Sequence, residues 1–164
     1  MKALNYKQIL ALVASLCVLT FTLAACSVQD DQTDAAEQNR QYMALLNSEM
    51  ADMQTVMDDF ETAVADGNVV AMRTQLGNAQ DVLETIEKQE PTDSLADARD
   101  QYIDALTSLN AAMTAYVDLF AEAQNQQMSE SDVASAMADI QSNYDDGVDK
   151  LEKADESIAE LAQG

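Results

Sequence analysis

Apolar side chains recur at alternating spacings of three and four residues along most of the chain beyond residue 34. This is the repeat of an α-helix with one apolar face. It predicts four amphipathic helices near residues 35–65, 69–89, 94–126 and 130–162. The scarcity of glycine (4) and proline (1) and the low aromatic content of 5% favour long helices over a sheet.

Each predicted helix has a continuous row of core positions with heptad-like spacing. The four rows are, in chain order, Met43, Leu46, Met50, Met53, Met57, Phe60 and Val64; Val69, Met72, Leu76, Ala79, Leu83 and Ile86; Leu95, Ala98, Tyr102, Leu106, Leu109, Met113, Tyr116, Phe120 and Ala123; and Val133, Met137, Ile140, Tyr144, Gly147, Leu151, Ala154, Ile158 and Leu161.

Short punctuated segments separate the four helices. Asp66-Gly67-Asn68 supplies a helix stop and a new N-cap, and Pro91 ends the second helix because it disfavours helical geometry in the residue before it. Ser129-x-x-Asp132 resembles a capping box at the start of the fourth helix. Four amphipathic helices joined by tight turns predict an all-α, up-down-up-down four-helix bundle.

The first 25 residues have the pattern of an export signal. Lys2 and Lys7 make the start positive, and an apolar run from Ile9 to Leu23 follows. At about 15 residues, this run is short for a membrane span of roughly 20. It ends in Leu23-Ala24-Ala25-Cys26.

This ending resembles the lipobox of bacterial lipoproteins. The resemblance implies that Cys26 receives a diacylglyceryl group, that signal peptidase II recognises Leu23, Ala24 and Ala25 and cuts before the cysteine, and that palmitate-type acyl chains anchor the mature protein to the membrane. It also implies an exported, membrane-attached location. Ser27 after the cysteine implies the outer membrane in a two-membrane bacterium; in a one-membrane bacterium the location would be the outer face of the cell membrane.

Three segments are therefore predicted: a signal peptide at 1–25, the lipidated cysteine with a flexible tether at 26–34, and an acidic four-helix bundle at 35–164. The tether is polar and reaches at most roughly 30 Å. Cys17 falls in the signal and Cys26 is the acylation site, so the predicted domain contains no thiol, and the chain has no histidine. The commonest general base and nitrogen metal ligand is thus absent.

Removal of Lys2 and Lys7 with the signal leaves six basic residues against thirty acidic ones, a formal charge of −24. Such a surface repels nucleic acid and anionic lipid headgroups. The charge is compatible with a basic protein, a cell-wall partner or cations, and equally with a solvated face that only resists aggregation.

The candidate chemical sites each have a structural explanation. Met50, Met53 and Met57, with Met43 one heptad earlier, could form a copper(I) cluster, but their seam positions indicate core packing.

The acidic pairs Asp30-Asp31, Asp58-Asp59 and Asp145-Asp146 could bind calcium, but Asp145 to Asp149 lacks the alternating spacing of a calcium loop and reads as mid-helix. In that reading Gly147 lets a neighbouring helix approach closely.

Tyr102, Tyr116 and Tyr144 are expected in the core. A di-iron bundle site requires histidine, and no serine nucleophile has a base, so no catalytic residue, metal or cofactor is predicted.

The predicted domain is similar in pattern to the small helical-bundle lipoproteins of bacteria, most of which have no assigned activity, and this likeness transfers no functional residue. We expect a non-enzymatic envelope lipoprotein whose acidic bundle interacts with a protein or cell-wall partner. A sensory module that binds a ligand or cation, and an inhibitor or immunity protein against a basic exported protein, are the alternatives.

Overall fold

A computed structural model describes residues 34–125 and 128–161. These residues form four helices, α1 (Asp34–Ala65), α2 (Val69–Lys88), α3 (Asp93–Gln124) and α4 (Glu130–Leu161), with no strand among them. Every observed helix end lies within two residues of its predicted position. The all-α four-helix bundle predicted from the sequence is confirmed.

The turn between α1 and α2 is a Schellman motif. Gly67 has a positive φ of 66°, which glycine adopts without steric penalty. The backbone N–H of Gly67 donates to the Val64 carbonyl (3.0 Å), and that of Asn68 donates to the Ala63 carbonyl (2.9 Å). The Asn68 side chain then accepts from the backbone N–H of Ala71 (3.1 Å) and caps α2. The predicted stop and cap are thus both confirmed.

The turn between α2 and α3 is extended. Gln89 has φ −96° and ψ 130°, and Thr92, the N-cap of α3, has φ −67° and ψ 164°. Pro91 lies between them and cannot continue a helix. The α2 helix therefore stops after 20 residues, whereas each of the other three helices has 32.

The start of α4 has the reciprocal bonds of a capping box. The backbone N–H of Asp132 donates to Ser129 Oγ (3.3 Å), and the backbone N–H of Ser129 donates to Asp132 Oδ2 (3.3 Å). This bonding confirms the predicted cap.

The consecutive helices α1 and α2, α2 and α3, and α3 and α4 pack as antiparallel pairs, and α3 and α4 are the most closely associated. The parallel helices α1 and α3 also meet, where the rings of Phe60 and Tyr116 pack at an interplanar angle of 70° with centroids 6.0 Å apart. This arrangement places the start of α1, the α2–α3 turn and the end of α4 at one end of the bundle. We call it the proximal end, and the end with the other two turns the distal end.

The core largely follows the predicted rows. Leu46, Met50, Met53 and Phe60 of α1 are buried, but Met43 and Met57 are only partly buried, so two predicted core positions lie at the edge of the core. Further buried side chains were not in the predicted rows: Tyr42, Val56, Ala63, Val82, Ala105, Ala112, Val117 and Leu119. The cause is geometric, since a straight helix of 3.6 residues per turn drifts relative to a strict seven-residue repeat.

The prediction is wrong for one core position. Leu161, the last residue of α4, is 49% exposed. Several other predicted positions, among them Met137 and Ile158, are partly buried and pack against the core.

At Gly147, α4 approaches α3 closely. A Cβ built on it would lie 2.8 Å from Leu109 Cγ and 3.2 Å from the Ala105 carbonyl oxygen, so no larger side chain fits without movement. The predicted role of this glycine is confirmed.

Candidate functional site

The predicted lipidation site lies outside the described residues. Cys26, its recognition residues Leu23, Ala24 and Ala25, and the following Ser27 all precede residue 34, where the described chain begins. The lipid anchor therefore stays a prediction from the sequence, as do the signal peptide at 1–25 and the tether.

A group of polar contacts ties the helices together at the proximal end of the bundle. Tyr102 of α3 is fully buried, and its hydroxyl donates to Asp155 Oδ1 of α4. Two residues further along α4, Ser157 Oγ donates to Gln101 Oε1 (2.8 Å). Burial, followed by the bond to Asp155, raises the pKa of Tyr102 far above its usual range. The phenol therefore stays protonated at neutral pH and acts as a donor, not as a base.

Arg99 is the basic residue of this group. Its Nη2 donates to the Glu87 carbonyl (2.6 Å) at the end of α2, and its Nη1 pairs with Asp100 (3.1 Å). The neighbouring Tyr42 of α1 is 5% exposed, and its hydroxyl has no hydrogen-bond partner among the described residues. Burial raises the pKa of Tyr42, while the Arg99 charge opposes that increase. The guanidinium thus anchors α3 to the end of α2.

The start of α1 is bonded to the α2–α3 turn. Asn39 accepts a hydrogen bond from the hydroxyl of Thr92 and donates from Nδ2 to Ser94 Oγ (3.0 Å). The Thr92 hydroxyl therefore makes no capping bond to α3, although the residue occupies the N-cap. In this way a side chain of α1 fixes the position of the turn.

A second polar contact joins the middles of α3 and α4. Lys150 Nζ lies 2.7 Å from Asp146 Oδ2 and 3.0 Å from Ser108 Oγ, and the serine hydroxyl donates to the same carboxylate (3.0 Å). Hydrogen bonds from Lys150 and Ser108 lower the pKa of Asp146. A serine beside a lysine could suggest a nucleophile and its base. This lysine, however, is ion-paired with Asp146, and the serine hydroxyl donates to the same carboxylate.

The methionines predicted to fill the core lie in or against it. Met50 and Met53 are 1% and 2% exposed, and Met43 and Met57 pack against the buried cluster. Tyr102, Tyr116 and Tyr144 are buried as predicted, and the rings of Tyr116 and Phe120 stack with centroids 6.3 Å apart. The sulfur atoms and rings therefore contribute to packing between the helices.

The acidic residues lie on the outside of the bundle. No polar or charged residue is buried within residues 35–125 and 128–161, although this part contains all of the acidic residues except Asp30, Asp31 and Asp34. Asp145 and Asp146 occur in the middle of α4, which confirms the mid-helix prediction. Among the described residues, no group of three or more acidic, cysteine or histidine side chains is arranged to hold a metal ion.

Most of the few basic residues form ion pairs with neighbouring carboxylates. Four of the six in the described chain form ion pairs: Arg40 with Glu37 (3.5 Å), Lys88 with Glu84 (3.0 Å), Arg99 with Asp100 (3.1 Å) and Lys150 with Asp146 (2.7 Å). Each pair neutralises one carboxylate locally, and the net charge of the described chain stays strongly negative because the acidic residues far outnumber the basic ones.

The polar contacts between helices were missed by the sequence reasoning. Asn39, Gln101 and Asp155 lie on the polar sides of their helices, where dozens of similar residues face water. Nothing in a single sequence distinguishes them, because their partners are more than fifty residues away.

Helices α1 to α4 contain no stretch that is both long and apolar enough to cross a membrane. Comparison of the chain with protein-family models, with curated proteins and with solved structures finds no match.

Proposed function

We propose that this chain is a non-enzymatic envelope lipoprotein, anchored through a lipid on Cys26, whose acidic four-helix bundle binds a basic surface of a protein or cell-wall partner. The observation that supports the interaction is the charge of the described surface: carboxylates cover it, and most of its few basic groups are paired with a carboxylate of the same helix. The support for the anchor is the Leu23-Ala24-Ala25-Cys26 motif.

The topology supports one choice of the surface that a partner would meet. With a lipid on Cys26, the chain runs from the membrane to the start of α1, so the proximal end of the bundle is the end nearest the anchor. The 32 residues of α1 extend about 48 Å from that end. The outer faces and the distal turns, where Val70 is 77% exposed, are then the surfaces presented to a partner.

The contacts between helices support an interaction role over catalysis. The hydroxyl of Tyr102 and the guanidinium of Arg99 are used to join helices, and Lys150 is paired with Asp146. These groups are therefore committed to the fold. Acidic surfaces steer basic partners by long-range attraction, which weakens with salt.

The anchor is tested by Cys26→Ser, with Cys17→Ser as the matched control. We expect Cys26→Ser to abolish incorporation of labelled palmitate and to release the protein from the membrane fraction or leave it as precursor. Cys17→Ser should be lipidated like the parent, because Leu16 before Cys17 is too bulky for the cleavage position. A Cys26→Ser protein that matures normally and stays on the membrane contradicts the anchor.

The interaction is tested with two charge variants of the lipid-anchored protein. Asp52→Asn with Asp58→Asn neutralises an exposed part of α1, and Asp139→Asn with Asp149→Asn does the same on α4. Photo-crosslinking in native envelopes should give a defined adduct that decreases at high salt and in at least one variant. An adduct unaffected by both variants and by salt, or no adduct at all, contradicts binding through the acidic surface.

A further inference from the structure

We draw no further inference here: the strongest candidate, the cluster of Tyr42, Arg99, Tyr102 and Asp155 at the proximal end of the bundle, belongs to the contacts between helices already described, and nothing in the described residues shows a ligand that it would bind.

Discussion

The close contact between α3 and α4 can be tested with two glycine-to-alanine changes that differ only in their surroundings. Both Gly77 and Gly147 lie inside helices, where alanine is favoured over glycine by about 1 kcal/mol. A Cβ on Gly77 meets no atom within 4 Å, whereas a Cβ on Gly147 meets Leu109 Cγ at 2.8 Å and Cδ2 at 2.9 Å. The gain in helix propensity is therefore shared, and only the second substitution is opposed by packing.

The destabilisation expected from packing in Gly147→Ala depends on which neighbouring atoms must move to accommodate the new Cβ. Leu109 is 1% exposed, so its branch has little space into which it could rotate, and the backbone carbonyl of Ala105 also lies 3.2 Å from the new Cβ. Overfilling a packed core typically costs about 1–3 kcal/mol. We expect Gly77→Ala to stabilise the bundle by about 1 kcal/mol. Gly147→Ala should be about 1–3 kcal/mol less stable than Gly77→Ala, which places it between neutral and clearly destabilised.

The measurement is urea unfolding of residues 27–164, followed by circular dichroism at 222 nm, for the parent and both variants. Equal m-values would show that the compactness of the native and denatured states is unchanged, so that the midpoints report stability. A Gly147→Ala protein as stable as Gly77→Ala would show that α4 does not approach α3 as closely as described, and would refute the reasoning.

Three further predictions, on the polar contacts, the core and one carboxyl group, are tested by the same unfolding assay. Tyr102→Phe removes the donor to Asp155 and should cost about 1 kcal/mol, whereas Tyr42→Phe removes a hydroxyl without a protein partner among the described residues and should cost less; equal costs would contradict this assignment. Met53→Leu should cost under about 1.5 kcal/mol, whereas Met53→Asp, at a position 2% exposed, should cost several; an aspartate variant as stable as the parent would contradict the packing. Burial, together with a nearby carboxylate, raises the pKa of Glu49, so its contribution favours folding below about pH 4 and is lost as the pH rises. Glu49→Gln should therefore increase stability at pH 7 but not at pH 3.5, and a gain of the same size at both pH values would contradict this.

The boundaries of the helices could be predicted because each depends on neighbouring residues. Gly67 and Asn68 end one helix and begin the next through bonds that span at most five residues, and Ser129 and Asp132 cap α4 within one turn. Pro91 acts through its own ring. Such local interactions depend only on a few consecutive residues, so those residues are sufficient to predict where a helix begins or ends.

The relative positions of the helices could not be predicted in the same detail. Which side of α1 meets α3 depends on the rotation of two helices about their axes, and a shift of one residue moves a side chain by 100°. Tyr42 is buried while Met43 lies at the edge, a choice that the apolar pattern leaves open because both residues are suitable for a core. The bond of Tyr102 to Asp155 depends on the same rotation.

The apolar core and the charged surface are separate in this bundle, so a binding surface can be found by substituting exposed acidic residues. Because no charged side chain is buried within residues 35–125 and 128–161, neutralising exposed acids on one helix removes solvated charge without leaving an unpaired group inside. It should also reduce repulsion among the remaining carboxylates, so stability should be retained or slightly increased. Binding lost on such a substitution would therefore report on the surface itself. The carboxylates of Asp146 and Asp155 are exceptions, because each holds α3 to α4 and its loss would change the fold and the surface together.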